Sequence, residues 1–137
     1  VVQALCGEPI TVHGDGSQTR SFCYVTDQAA ALIALLDSGE PGPMNLGNPD
    51  ESTVEELALH VIELTGSDST LVRRPLPQDD PTQRRPDITL ATEVLGWSPR
   101  VPLREGLRRT IEHLRAEVRP RGNPIAGRVR TASASAV

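Results

Sequence analysis

The chain has no lysine: all 14 of its lysine-or-arginine positions are arginine. That excludes any reaction that needs a lysine base or a Schiff base from this polypeptide. Aromatic side chains are nearly absent, with one Phe, one Tyr and one Trp, so a core must be assembled from Leu, Val, Ile and Ala. Helices packed on a small sheet suit that set. Two cysteines, Cys6 and Cys23, are too few and too unpatterned for a disulfide framework or a zinc site. A reduced, cytoplasmic setting and no bound metal are therefore expected. No apolar run approaches the roughly 18 residues that cross a bilayer, and no basic-then-apolar leader opens the chain, so no membrane partner is expected. The net charge of -4 runs against the basic stripe of a nucleic-acid binder. The acidity belongs to the part before Arg119; beyond it every side chain is neutral or basic.

What is present fits one domain of modest size, since 137 residues bury about two-thirds of their unfolded surface. Val1 to Cys6 reads as the end of a helix stopped by Gly7 and Pro9, and because it starts without Met a preceding portion is expected. Ile10 to Val12 reads as a strand, Gly14 to Ser17 as a turn, and Phe22 to Val25 as a second strand. Thr26 or Asp27 can cap a helix whose Ala30, Ile33 and Leu36 recur at helical spacing up to Gly39. Met44 to Leu46 reads as a short strand. Ser52 and Thr53 each have a glutamate three residues on, the signature of a capping box, and the helix after them runs to Gly66. Thr70 to Arg73 reads as a strand, and the prolines from Pro75 to Pro86 then impose an extended loop. A short helix from Thr89 to Leu95 ends at Gly96, with Trp97 as a packing anchor, and a last amphipathic helix carries Leu103, Leu107, Ile111, Leu114 and Val118. Residues 119–137 hold almost no large apolar side chains and are expected to be a disordered basic tail behind a domain spanning 1–118.

Two stretches could carry binding chemistry. In Gly14-Asp15-Gly16-Ser17-Gln18-Thr19-Arg20, glycines let the backbone approach a ligand and the arginine can fork onto a phosphate. Taken alone, it reads better as a hairpin turn followed by a surface arginine. It is no dinucleotide fingerprint, because the segment after it reads as a strand rather than a helix. The second stretch, Arg84-Arg85-Pro86-Asp87, presents two cations on a loop stiffened by proline, which lowers the entropy cost of meeting an anion. Its plain alternative is a solvated patch in which these arginines pair with Asp79 and Asp80.

Four segments in order change the balance: Gly7 to Phe22 (GEPITVHGDGSQTRSF), Asn45 to Pro49 (NLGNP), Asp79 to Thr89 (DDPTQRRPDIT) and Leu95 to Pro99 (LGWSP). Together they resemble the UDP-glucuronate decarboxylases, within the NAD-dependent epimerase/dehydratase group of extended short-chain dehydrogenase/reductases. The resemblance covers residues 1 to about 118 and only the rear, substrate-binding portion of such an enzyme. It implies an α/β fold of Rossmann type, with short strands and about four to five helices.

It also implies a UDP-sugar as ligand. Arg20 and Arg84 would hold the diphosphate, Thr11 and His13 would lie near uracil, and Gln18 would join them in the substrate site. His13 stands where the family more often has tyrosine, and Leu90 where it has lysine. In the family NAD oxidises C4 of UDP-glucuronate, the 4-keto acid loses carbon dioxide, and the returned hydride gives UDP-xylose. Complete members are expected to be homodimers. The Gly-rich cofactor loop and Tyr-x-x-x-Lys pair are missing here, since Tyr24 is followed four positions on by Gln28. No catalytic or NAD-binding residue is thus expected in this chain, which should be inactive alone. Two other readings stay open: a non-catalytic sugar-nucleotide-binding or assembly module, and a fragment of a related dehydratase or epimerase.

Overall fold

A computed structural model describes residues 1–118. The expected basic tail, 119–137, lies outside the described residues. The elements run α1 (Val2–Leu5), β1 (Ile10–His13), β2 (Thr19–Ser21), α2 (Val25–Ser38), β3 (Glu51–Thr53), α3 (Val54–Thr65), β4 (Leu71–Arg74), β5 (Gln83–Arg84), α4 (Thr89–Leu95) and α5 (Leu103–Glu117). This is the α/β arrangement of short strands and five helices that the resemblance implied.

The strands form two small sheets. β1 lies parallel to β4, with Ile10 opposite Leu71 and His13 opposite Arg74. β2 is the middle strand of the other, antiparallel to β3 and parallel to β5. Along β1 burial alternates, Ile10 and Val12 inward and Thr11 and His13 outward, as the two-residue period of a half-buried strand requires. Val12 is 1% exposed and packs with Ala4, Ile10, Ala58 and Val61, so α3 closes over the β1–β4 pair. Burying a valine of this kind stabilises by roughly 1.5–3 kcal/mol. A second cluster joins α2 and α4 through Ala31, Ala91 and Trp97, which confirms Trp97 as an anchor.

The helix signals are well matched. Thr53 Oγ1 accepts the Glu56 N–H at 3.0 Å while the Glu56 carboxylate accepts the Thr53 N–H at 2.8 Å, so of the two possible boxes Thr53 and Glu56 form the real one. Gly39, Gly66 and Gly96 terminate α2, α3 and α4 in the left-handed conformation, as read from the sequence.

Four expectations are corrected. The second strand is Thr19–Ser21, not Phe22 to Val25; its partners β3 and β5 set its place, and tertiary pairing overrides the β preference of Phe, Tyr and Val. Tyr24 is the N-cap of α2, and Asp27 sits inside its first turn, buried, where Oδ2 accepts the N–H groups of Arg100 at 2.8 Å and Val101 at 2.7 Å. Met44 to Leu46 is not a strand; the pairing falls instead on Glu51–Thr53. On α2 the apolar stripe runs outward: Ala31 is fully buried, whereas Ile33 and Leu36 are 60% and 83% exposed. The helix is apolar nearly all round, so periodicity alone could not choose its inner face.

Candidate functional site

The turn between β1 and β2 is locked from within. The Asp15 carboxylate accepts both the Ser17 N–H at 2.9 Å and its hydroxyl at 2.7 Å, and these bonds hold the Asp15 carboxyl below its ordinary range. Gly16 has φ 84, and a Cβ there would stand 2.9 Å from Glu55 Cβ and 3.3 Å from Val12 Cγ1. Arg73 reaches over from β4, donating to the Asp15 carbonyl and pairing with Glu55 at 2.6 Å. The Gln18 amide is buried and donates to the His13 carbonyl at 2.6 Å, and its backbone carbonyl accepts the Val54 N–H. Gln18 thus braces the turn that feeds β2.

Register then decides what β2 presents. Arg20 is opposite Ser52 of β3 on one side and opposite Arg84 of β5 on the other. Residues paired across a ladder leave the sheet on one face. A row Ser52, Arg20, Arg84 therefore crosses the sheet, bringing together two arginines from distant segments. The Arg20 guanidinium is pinned: Nη1 donates to its neighbour's carbonyl, Thr19 O, at 2.7 Å, and Nη2 donates to Asp80 Oδ1 at 2.6 Å. Its side chain is 17% exposed and that of Asp80 27%. Arg84 is exposed, and its side chain makes no hydrogen bond or ion pair with another described residue. The Ser52 hydroxyl is likewise without a hydrogen bond among the described residues.

The other face is different. Glu51, Thr19 and Gln83 belong to it, and the Glu51 carboxylate accepts from Thr19 Oγ1 at 2.6 Å and from Gln83 Nε2 at 2.8 and 2.9 Å. Those bonds, with the charge of Arg85 as a lesser cause, hold the Glu51 carboxyl below its usual range. Arg85 also pulls on Asp87, after the stronger effect of its bonds from Thr89. Arg85 follows the end of β5 and has no Cα partner in the sheet, whereas Arg84 is paired with Arg20.

The remaining candidates are separately placed. Thr11 and His13 share the exposed face of β1. Thr11 Oγ1 accepts from Gln3 Nε2 at 3.2 Å, and His13 Nδ1 lies 3.1 Å from the Pro75 carbonyl. No hydrogen bond among the described residues joins that face to Arg20 or Arg84. His60 and His113 lie on helices near Glu63 and Glu117, as expected of surface histidines. Both cysteines are free, and no group of three metal-binding side chains occurs among the described residues. Sequence reasoning missed Ser52 and the use of Asp80; only the register of β2 reveals the first, and no local signal marks the second.

A dinucleotide does not fit the described residues. The one Gly-x-Gly turn enters a strand, its Gly16 is filled from behind by Glu55 and Val12, and the first-turn Glu55 N–H of α3 is taken by the Gly16 carbonyl, so the turn leaves no open cradle for a pyrophosphate.

Solved structures share this fold. UDP-glucose 4-epimerase of Thermotoga maritima, crystallised with UDP-glucose, superposes with a TM-score of 0.82 at 34% identity over 86% of this chain and 38% of its own. UDP-glucuronic acid 4-epimerase of Bacillus cereus, in complex with UDP-glucuronic acid and NAD, gives 0.75 at 28% identity over 82% of this chain and 38% of its own. These neighbours define the class as Rossmann-type sugar-nucleotide epimerases and dehydratases.

Within that class the chain belongs to the GDP-mannose 4,6 dehydratase family, whose model matches residues 1–110. Among curated proteins, UDP-glucuronic acid decarboxylase 1 of Danio rerio is 47% identical over 123 residues, 90% of this chain and 29% of that protein. UDP-glucuronic acid decarboxylase 2 of Arabidopsis thaliana is 48% identical over 86% of this chain and 26% of its own length. The chain spans less than a third of the curated relatives it matches.

Proposed function

We propose that this chain is the sugar-nucleotide-binding portion of a UDP-glucuronate decarboxylase and that Arg20 and Arg84 clamp the diphosphate of the UDP-sugar. The observation that carries this reading is the register of β2 with β5, which sets Arg20 beside Arg84 on one face. Two arginines that merely solvated separate loops would have no reason to be Cα partners. A doubly charged, multi-oxygen anion is the ligand such a pair suits, because each guanidinium offers a planar fork of donors. Ser52, third in the row, can add a neutral hydroxyl donor. Identity supports the decarboxylase over the epimerase, at 47% against 34%. Thr11 and His13 would meet the base, and Gln18 would act by holding the turn.

In this reading the oxidation and return of hydride depend on NAD, which residues outside this chain would hold. The described residues bind and orient the nucleotide. A charge-assisted arginine–phosphate contact is worth about 1.5–3 kcal/mol, so R20Q or R84Q should weaken UDP binding to the 137-residue chain roughly ten- to a hundredfold. R85Q should leave it within about threefold, because Arg85 lies past the end of β5 and is not a Cα partner of Arg20. Titration calorimetry with UDP, and with GDP as the competitor of different base, checks this. Equal affinities in wild type, R20Q and R84Q would sink the assignment.

A further inference from the structure

Asp80 reaches the arginine face from the loop before β5, and its choice of partner is unexpected. Two cations lie just four and five positions further on, Arg84 and Arg85, yet the Asp80 carboxylate bonds Arg20. It therefore meets the more enclosed guanidinium and leaves the exposed Arg84 alone. With Nη1 of Arg20 already on the Thr19 carbonyl, Asp80 takes the donor at Nη2, one of those that an incoming phosphate oxygen would need.

We propose that Asp80 is an intramolecular competitor for the diphosphate: it occupies Arg20 in place of a phosphate oxygen and must swing aside before one anion can bridge Arg20 and Arg84. The inference rests on the clamp assigned above. Two like charges cannot share one guanidinium edge without repulsion, and in a partly enclosed site water screens them less than at the open surface.

The segment that carries Asp80 is suited to release it. Leu76 to Asp79 are exposed, and none of them belongs to a buried core cluster. The turn is closed by one long bond, from the Asp80 N–H to the Pro77 carbonyl at 3.4 Å. Asp79 takes the left-handed conformation, φ 67, that lets the chain double back toward Arg20. Moving the turn costs surface contacts, not core packing. Selectivity is the consequence: a single charge such as a carboxylate gains little over Asp80 itself, whereas a diphosphate that also reaches Arg84 outcompetes it.

The test is a titration of the full 137-residue chain with UDP and with inorganic pyrophosphate, for wild type, D80N, D80A, R20Q and the double variant D80N/R20Q. D80N and D80A should each bind both probes about three- to thirtyfold more tightly than wild type, and the gain should vanish in the R20Q background. Circular dichroism identifies a variant that fails to fold, and D80A and D80N stand in for one another. If both variants bind equally or more weakly while R20Q is still impaired, Asp80 positions Arg20 rather than competing, and this proposal falls alone. If R20Q binds as wild type, or no variant binds either probe, the clamp itself falls and this inference with it.

Discussion

At the scale of single residues, backbone geometry and charge partners decide what each side chain can do. Gly16 is the clearest case, because its φ of 84 and the 2.9 Å approach of Glu55 Cβ forbid a methyl group for two independent reasons. G16A should lose about 1–3 kcal/mol of stability in urea unfolding, whereas G66A, where an added Cβ meets nothing within 4 Å, should lose only about 1 kcal/mol. Equal losses would show that the close approach contributes nothing. The sequence made both glycines visible as turn and cap, but not the packing that distinguishes them. Charges were harder to read. Proximity along the chain pointed Asp80 at Arg84 or Arg85, and the fold gives it to Arg20 because the turn doubles back over β2. The convergence of Arg20 and Arg84 came from family resemblance; no spacing rule links positions on strands whose pairing is parallel and remote.

At the scale of elements, legibility tracks how local the determining interactions are. α3 and α4 were readable to within a residue or two because a capping box and terminal glycines act inside a single turn, and α5 because its apolar residues recur at helical spacing. β2 and β3 were misplaced by a few residues because a three-residue strand exists only through its partners. T53A should destabilise the chain by about 1 kcal/mol, with α3 fraying first in hydrogen exchange; unchanged protection of the Glu56 amide would count against the cap. Acid should act on α5 through Glu105, which accepts from Arg108 and Arg109 and whose carboxyl is thereby drawn from 4.5 down to about 2. Because its value is lower in the folded state, its contribution is fully present above about pH 4.5 and disappears as pH falls from there through about 2. Helical ellipticity followed down that range should fall less steeply in E105Q, although carboxylates elsewhere that are also held low, such as Glu56 and Glu63, add their own share. An identical acid profile for the two proteins would exclude Glu105 as a contributor.

At the scale of the whole molecule, the chain sets two arginines side by side on one sheet face and lacks the Tyr-x-x-x-Lys pair. Purified alone with UDP-glucuronate and NAD it should release no carbon dioxide above a blank; sustained turnover that co-purifies with the chain would refute this. The outward stripe of α2, with Val25 at 67%, Ile33 at 60% and Leu36 at 83% exposed, should make the chain self-associate. Sedimentation at increasing concentration should show larger species, and I33D/L36D should suppress them; a concentration-independent monomer would remove the expectation. The same topology sets the order of events during folding. Ser21 bonds a backbone carbonyl 63 residues further along, and β1 finds β4 across a comparable span, so both sheets wait on long loop closures. Proteins dominated by such distant pairings fold in milliseconds to seconds rather than microseconds. Because Arg20 and Arg84 become neighbours only when β5 pairs with β2, a nascent chain that ends before Gln83 cannot yet assemble the clamp proposed for the diphosphate.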